Sequence, residues 1–301
     1  KTEGVVATSA PVAEGLVRRA DRQLAAATRS AAASTSSKNA GGTDFLDMDF
    51  SPLAKSQVLK ILAERPAGAP FAYVVTPNVD HIVRIQRLRS DLWPMYRSAW
   101  LNLCDSRILA LLASWTGRSL LPIPGSDLTA DLLQQVVRPD DRIAVVGGDP
   151  VMIESVRQNY GLRNLVHHNP PMGFASDPLA LEQAARFAID AHARYTFLAV
   201  GSPQQEILAY RIARSGEATG IALCIGASLQ FLSGDQQRAP RWLQQLALEW
   251  LFRLLSNPQR LWRRYLVDGP LILPIFNAWR EKSDRRREPR HLCPYHARYR
   301  R

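Results

Sequence analysis

A chain of 301 residues is long enough to bury one sizeable α/β core, and its 38 Lys and Arg against 27 Asp and Glu give a formal charge of +11 that calls for an anionic partner. Pro, Gln or Arg interrupts every apolar stretch, including 266–276, before the roughly 18 residues that a membrane-spanning helix needs, so no permanent span is expected. Cys104, Cys224 and Cys293 lie far apart without CxxC or Cys/His spacing, which argues against a structural zinc and fits a reducing compartment.

In chain order, residues 1–43 are rich in Ala, Ser, Thr and Arg and poor in large apolar groups. That composition cannot offset ordering entropy, so a mostly disordered leader is expected, with a transient helix around 12–27 and no signal-peptide pattern. From Phe45 short apolar runs alternate with segments of helical period: 45–50, 71–75, 100–104, 143–147, 165–167, 196–200 and 221–225. Strands spaced by helices predict an α/β fold over 44–237, a mainly parallel Rossmann-like sheet with helices on both faces.

Several of these runs end in turn chemistry and open a helix: Thr76-Pro77-Asn78, Gly147-Gly148-Asp149-Pro150, Gly201-Ser202-Pro203 and Gly226-Ala227-Ser228. In parallel sheets these carboxyl ends line the ligand crevice, where free helix N–H groups face outward. The site is therefore expected along that edge.

Beyond Arg238 the charge changes. Residues 238–301 hold 15 Lys and Arg against 5 Asp and Glu, a net +10. Leu243, Leu246, Trp250 and Leu254 recur at helical spacing after Pro240, and Asn257-Pro258 predicts the start of a second short helix carrying Arg260, Trp262, Arg263, Arg264 and Tyr265. Residues 238–284 read as a basic, amphipathic helical appendage suited to an anionic membrane surface, the alternative being a core-packed helical pair with solvated arginines. Residues 285–301 read as a flexible basic tail.

No GxGxxG, Walker lysine, HxxxH, nucleophile elbow or metal-ligand cluster is present. Asp47-Met48-Asp49 has DxD form, but that pattern is common by chance, and no metal or cofactor is expected. The adjacent His167 and His168 would point to opposite faces of a strand. What remains is a sheet edge with polar side chains: Thr76, Asn78, Asp105, Ser106, Arg107, Ser126, Asp127, Gln204, Gln205 and Glu206. Each suits hydrogen bonding to a polyhydroxyl ligand, or helix capping instead. Asp105, ending an apolar run at the ligand edge, is placed for general-base work on a hydroxyl, with a capping role as its structural alternative.

Thr76-Pro77-Asn78, Asp105, Pro124-Gly125-Ser126-Asp127-Leu128, Val146-Gly147-Gly148, Gly201 through Glu206, Gly226-Ala227-Ser228 and Arg238-Ala239-Pro240-Arg241-Trp242 together resemble the WecG/TagA/CpsF glycosyltransferase family, over about Phe45 to Pro274. The run 248–254, then Pro258 and Arg264-Tyr265-Leu266, carries the resemblance further. It implies inverting transfer of a hexose-type sugar from a UDP-sugar donor to a polyprenyl-diphosphate-linked saccharide, without a required metal, in cell-surface or exopolysaccharide synthesis. It also implies a peripheral place on the cytoplasmic face of the plasma membrane.

By the same resemblance Asp105 is the general base, Thr76 and Asn78 share its pocket, and Gln204 and Glu206 lie beside the nucleotide-sugar. The leaving UDP needs cationic stabilisation, for which Arg238, Arg241, Arg253 and Arg264 are the candidates. The chain departs from the family in following the aspartate with Ser106-Arg107, where many members have Gly. A nucleic-acid-binding protein with a basic tail would explain the terminal charge but not the α/β body, and a nicotinamide oxidoreductase lacks its glycine fingerprint. No nucleic-acid partner is expected. No heptad pattern specifies an oligomer, and a homo-oligomer stays open.

Overall fold

A computed structural model of the protein describes residues 42–226, 228, 229, 243 and 249–287. The expected leader apart from its last residues, the tail from residue 288, and Arg238 and Arg241 lie outside the described residues.

The described chain opens with a hairpin, β1 (Thr43–Phe45) and β2 (Met48–Phe50), then runs α1 (Lys55–Glu64), β3 (Ala72–Val75), α2 (Val79–Arg87), α3 (Trp93–Arg97) and β4 (Leu101–Asn102). It continues through α4 (Arg107–Ser114), α5 (Gly125–Gln135), β5 (Arg142–Val146), α6 (Pro150–Asn159), β6 (Asn164–His168) and α7 (Pro178–Asp190). Next come β7 (Tyr195–Leu198), α8 (Gln204–Ser215) and β8 (Ile221–Cys224), and after the 230–248 region α9 (Glu249–Ser256), α10 (Pro258–Trp262) and α11 (Ile272–Arg287). Local chemistry sets several helix starts. Asp149 and Asp177 each cap a helix whose first residue is proline, the residue whose missing N–H costs nothing there.

Six strands form one parallel sheet in the order β4-β3-β8-β7-β5-β6. The fold is Rossmann-like α/β, as the alternation of runs predicts. Because the pleat alternates side chains, Tyr73, Val75, Val146, Leu198 and Cys224 pack on one face with residues of α2, α4, α7, α8 and α11. Val74, Ile143, Val145, Phe197 and Leu223 pack on the other with α1, α5 and α6. Burial on both faces is why these strands read as unbroken apolar runs.

Two elements differ from expectation. The run 45–50 belongs to a hairpin of two three-residue strands, Thr43–Phe45 and Met48–Phe50, around a turn at Leu46 and Asp47, whose φ values of 56° and 60° reverse the chain without a glycine. The C-terminal region contains α11 in addition to the two helices expected there, and that helix continues to Arg287, past the boundary set for the flexible tail. Its buried Ile272, Ile275, Phe276 and Trp279 follow i, i+3, i+4, i+7 spacing and join the main core. Phe45 of the hairpin packs against Phe276 and Trp279, at ring distances of 6.1 and 5.1 Å. The last described helix therefore covers the first described strand.

Candidate active site

After β3 the chain steps outward to β4, and after β5 it steps outward in the opposite direction to β6. Loops that part in this way leave a crevice at the carboxyl edge of the sheet. A polar cleft of about 780 Å³ lies there, with Thr76, Asn78, Asp105, Ser126, Gly148, Gly201, Gly226 and Arg264 on its walls. These residues, spread over nearly 190 positions of sequence, share the walls of one cleft. Gly147, Asp127, Gln204 and Glu206 do not line this cleft, and Arg238 and Arg241 lie outside the described residues.

Gly147 acts one step back. It has φ +90°, and a Cβ there would sit 2.6 Å from Val200 Cγ1 and 2.9 Å from the Ala199 carbonyl carbon. Only glycine lets the loop after β5 lie against the loop after β7. Gly226 N–H donates to Gln205 Oε1 at 2.7 Å, while Gln205 Nε2 donates to Glu206 Oε1 at 2.8 Å, so the β8 loop is tied to the start of α8.

The helix N-termini at this edge are not equivalent. Asn78 caps α2 through Asp80 N–H, Ser106 caps α4 through Leu109 N–H at 3.2 Å, and Asp149 caps α6 through Val151 N–H at 2.9 Å. The α4 cap is thus Ser106 and not Asp105. By contrast α5 and α8 start after Pro124 and Pro203 with no side-chain cap. Their dipoles favour an anion, although Asp127 and Glu206 stand in their first turns and the Asp127 and Gln205 N–H groups already bond the Pro124 and Gly201 carbonyls, whereas the Asp149 cap would accept from hydroxyls.

Sequence reasoning missed a polar network on α2. Arg84 Nη1 donates to Ser202 Oγ at 2.8 Å and Arg84 Nη2 pairs with Asp80, whose Oδ2 also lies 3.7 Å from Arg264 Nη2. Asp80 thereby stands between two guanidiniums, one from α2 itself and one from the C-terminal segment. The Asp80–Arg84 pair shows in the sequence as i, i+4 spacing, but its link to Ser202 has no local signal.

Beneath the cleft, His81 and Glu206 are 7% and 1% exposed and face each other at 3.8 Å. His81 Nδ1 accepts from Asn78 N–H at 3.0 Å, completing a capping box. Burial pushes His81 down to about 3 and the Glu206 carboxyl up, so the contact is between a neutral imidazole and an acid that resists ionisation, not an ion pair. Glu206 Oε2 has no hydrogen-bond partner. Burial likewise raises Cys104 to about 12 and raises Cys224 well above the ordinary thiol, which makes both inert core groups.

A second cavity, of about 500 Å³, adjoins the first. Its walls are mostly apolar and come from α4, Pro122, Pro124 and the C-terminal segment through Trp250, Tyr265, Leu266, Ile272 and Leu273. The two cavities share Asn78, Asp80, Asp105 and Arg264. Asp105 and Arg264 thus stand where a polar space and an apolar space meet.

Among the described residues, no group of three or more His, Cys, Asp or Glu side chains is arranged to hold a metal ion. Asp47 sits in the hairpin turn and lies 3.6 Å from Lys282 Nζ, away from the cleft. His167 bonds the Gly147 carbonyl at 3.1 Å and His168 packs on Phe187, so both histidines have structural partners. No described helix is long and apolar enough to cross a membrane.

A parallel sheet with helices on both faces and a polar crevice at its carboxyl edge defines a Rossmann-like α/β protein with a small-molecule site. The model of the glycosyl transferase WecG/TagA/CpsF family matches residues 43–288, and the chain belongs to that family. It is accordingly a glycosyltransferase of cell-wall or polysaccharide biosynthesis.

Proposed function

We propose that the protein transfers a sugar with inversion from a UDP-sugar to a polyprenyl-diphosphate-linked saccharide, at the inner face of the plasma membrane. The observation that carries this reading is the position of Asp105 in the shared wall of the polar and apolar cavities. A donor in the first space and an acceptor in the second would flank one carboxylate. In the step proposed, Asp105 takes the proton of the acceptor hydroxyl as that oxygen bonds the anomeric carbon, and the bond from that carbon to UDP breaks on the opposite side. Negative charge developing on the UDP oxygens would meet Arg264 and the uncapped starts of α5, beside Ser126, and α8, beside Gly201. Asp149, with its acceptor oxygens, suits the ribose hydroxyls. Glu206 and Gln204 serve through the α8 start, Glu206 by holding Gln205.

Asp105→Asn preserves shape but cannot accept the proton. It is expected to lower turnover about 10²- to 10⁴-fold while UDP affinity stays within about twofold. Turnover equal to wild type in the folded variant would remove Asp105 from the base role.

A further inference from the structure

The apolar cavity carries an inference about what holds the acceptor, and it rests on the reading of the chain as a transferase with a lipid-linked acceptor. Helix α4 is apolar on two sides. Leu109, Leu112 and Ala113 are buried in the core, while a stripe of Ile108 and Leu111, at i and i+3, continues toward Trp115 just past the helix end; Leu111 is 52% exposed, and Trp115 is 64% exposed with its ring 6.3 Å from Phe276. Ile108 lines the cavity, so the stripe begins at its wall and runs outward. Across the opening, Leu266 and Leu273 line the same cavity while remaining 56% and 51% exposed. A solvent-facing helix does not ordinarily keep Leu and Trp on its outer side without something to cover them. Here Ile108 and the half-exposed Leu266 and Leu273 line a cavity that also reaches Asp105.

The polar end narrows the choice of occupant. Arg107 and Arg264 both line the cavity near Asp105. A ligand that satisfies these walls has an apolar chain and an anionic head, with a hydroxyl beyond the head reaching Asp105. A second protein copy would supply apolar side chains but would not place a hydroxyl at Asp105.

We propose that this cavity is the subsite for the first prenyl units of a lipid diphosphate, with Arg107 against its diphosphate, and that the α4 stripe with Leu266 and Leu273 enters the lipid surface around the mouth. The core domain then contributes to the membrane-facing surface through α4, and the chain's C-terminal segment supplies the opposite wall. The bilayer route brings the acceptor into the cavity chain-side, at the local concentration of a surface-bound substrate.

Direct binding tests this without requiring turnover. Farnesyl diphosphate is titrated calorimetrically into the full chain and compared with inorganic diphosphate, for wild type, Ile108→Asn and Leu273→Asn, with UDP affinity measured in parallel to report the polar cleft. Leu273 is half exposed, so its variant tests the cavity even if the Ile108 variant folds poorly. The expected result is at least tenfold tighter binding of farnesyl diphosphate than of inorganic diphosphate, with most of that preference lost in each folded variant and in Arg107→Ala an equal weakening of both ligands. Equal affinity for the two ligands, or a preference untouched by the variants, would overturn the proposal. So would dissociation of an oligomer by Leu273→Asn with farnesyl diphosphate binding unchanged, since the face would then belong to a second copy. Intact prenyl binding together with no transfer from any UDP-sugar would instead defeat the reading of the reaction and leave the subsite standing.

Discussion

The polar cleft and the apolar cavity share one wall and are built in opposite ways. The cleft is assembled from loops at the carboxyl edge of a buried sheet, where each loop is fixed by the strand behind it: Gly147 against Val200, Gly226 tied to Gln205. The cavity is assembled from the outer side of α4 and from a C-terminal segment that packs on α2 and, through α11, on the core, with Arg264 and Asp80 3.7 Å apart. The difference teaches that the proposed donor side rests on loops fixed by the sheet behind them. The proposed acceptor side depends on a wall that comes from elsewhere in the chain.

The strongest way to break that division is at the shared wall. Arg264→Ala is expected to lower kcat about 100- to 1000-fold, as loss of a charge-stabilising donor does, with Arg264→Lys intermediate because it keeps the charge without the planar fork. Unchanged kcat with a raised acceptor KM in steady-state assays would assign Arg264 to the acceptor side alone.

A second comparison separates the rigid side from the rest. Gly147→Ala places a Cβ against Val200 and Ala199 at φ +90°, so a loss of about 2–4 kcal/mol in unfolding free energy and weaker UDP binding are expected. Gly201→Ala, at φ +77° with nothing within 4 Å, should cost only about 1 kcal/mol. Equal losses in denaturant titrations of the two variants would mean that the close approach of the β5 and β7 loops is unimportant.

The smallest effect lies beneath the cleft. Folded His81 stays neutral to about pH 3, whereas in the unfolded chain an ordinary imidazole takes up a proton near pH 6.5. Below pH 6.5 the unfolded state therefore binds more protons, and stability falls as pH drops toward 3. Glu206 has the opposite sign, since its raised value favours the folded state at low pH and that advantage fades as pH rises. His81→Gln keeps a side chain able to close the capping box but removes the imidazole titration. Between pH 7.5 and pH 5 the wild type should lose about 1–2 kcal/mol more than the variant in urea unfolding, Glu206 being common to both. Parallel pH profiles would show that His81 protonates in the folded protein as readily as in the unfolded one.

The sheet was legible because four of its strands are buried on both faces and so appear as short apolar runs between helical periods. The hairpin was not, because Leu46 and Asp47 turn the chain at positive φ without the Gly or Asn that marks such turns. Helix α11 hid its stripe behind Pro270, Pro274 and a run of arginines, although a proline in a helix's first turn removes no internal hydrogen bond. Within the site, Thr76, Asn78, Ser126 and Asp105 follow from strand ends and turn motifs. Helical phase decided otherwise for Asp127 and Gln204, which neighbour cleft residues in sequence yet point off its wall. Ser202 and Arg84 meet across 118 positions, a distance over which only the folded sheet edge brings them together.

The packing of Phe45 against Phe276 and Trp279 also has a consequence for how the chain is made. At the ribosome's pace of about 5–20 residues per second, roughly 10–50 s separate synthesis of the strand from synthesis of the helix that covers it. Through that interval the nascent hairpin must keep an aromatic ring without its final partner. The helix that covers this ring is made more than 220 residues after it, so the hairpin's core face is completed late in synthesis of the described chain.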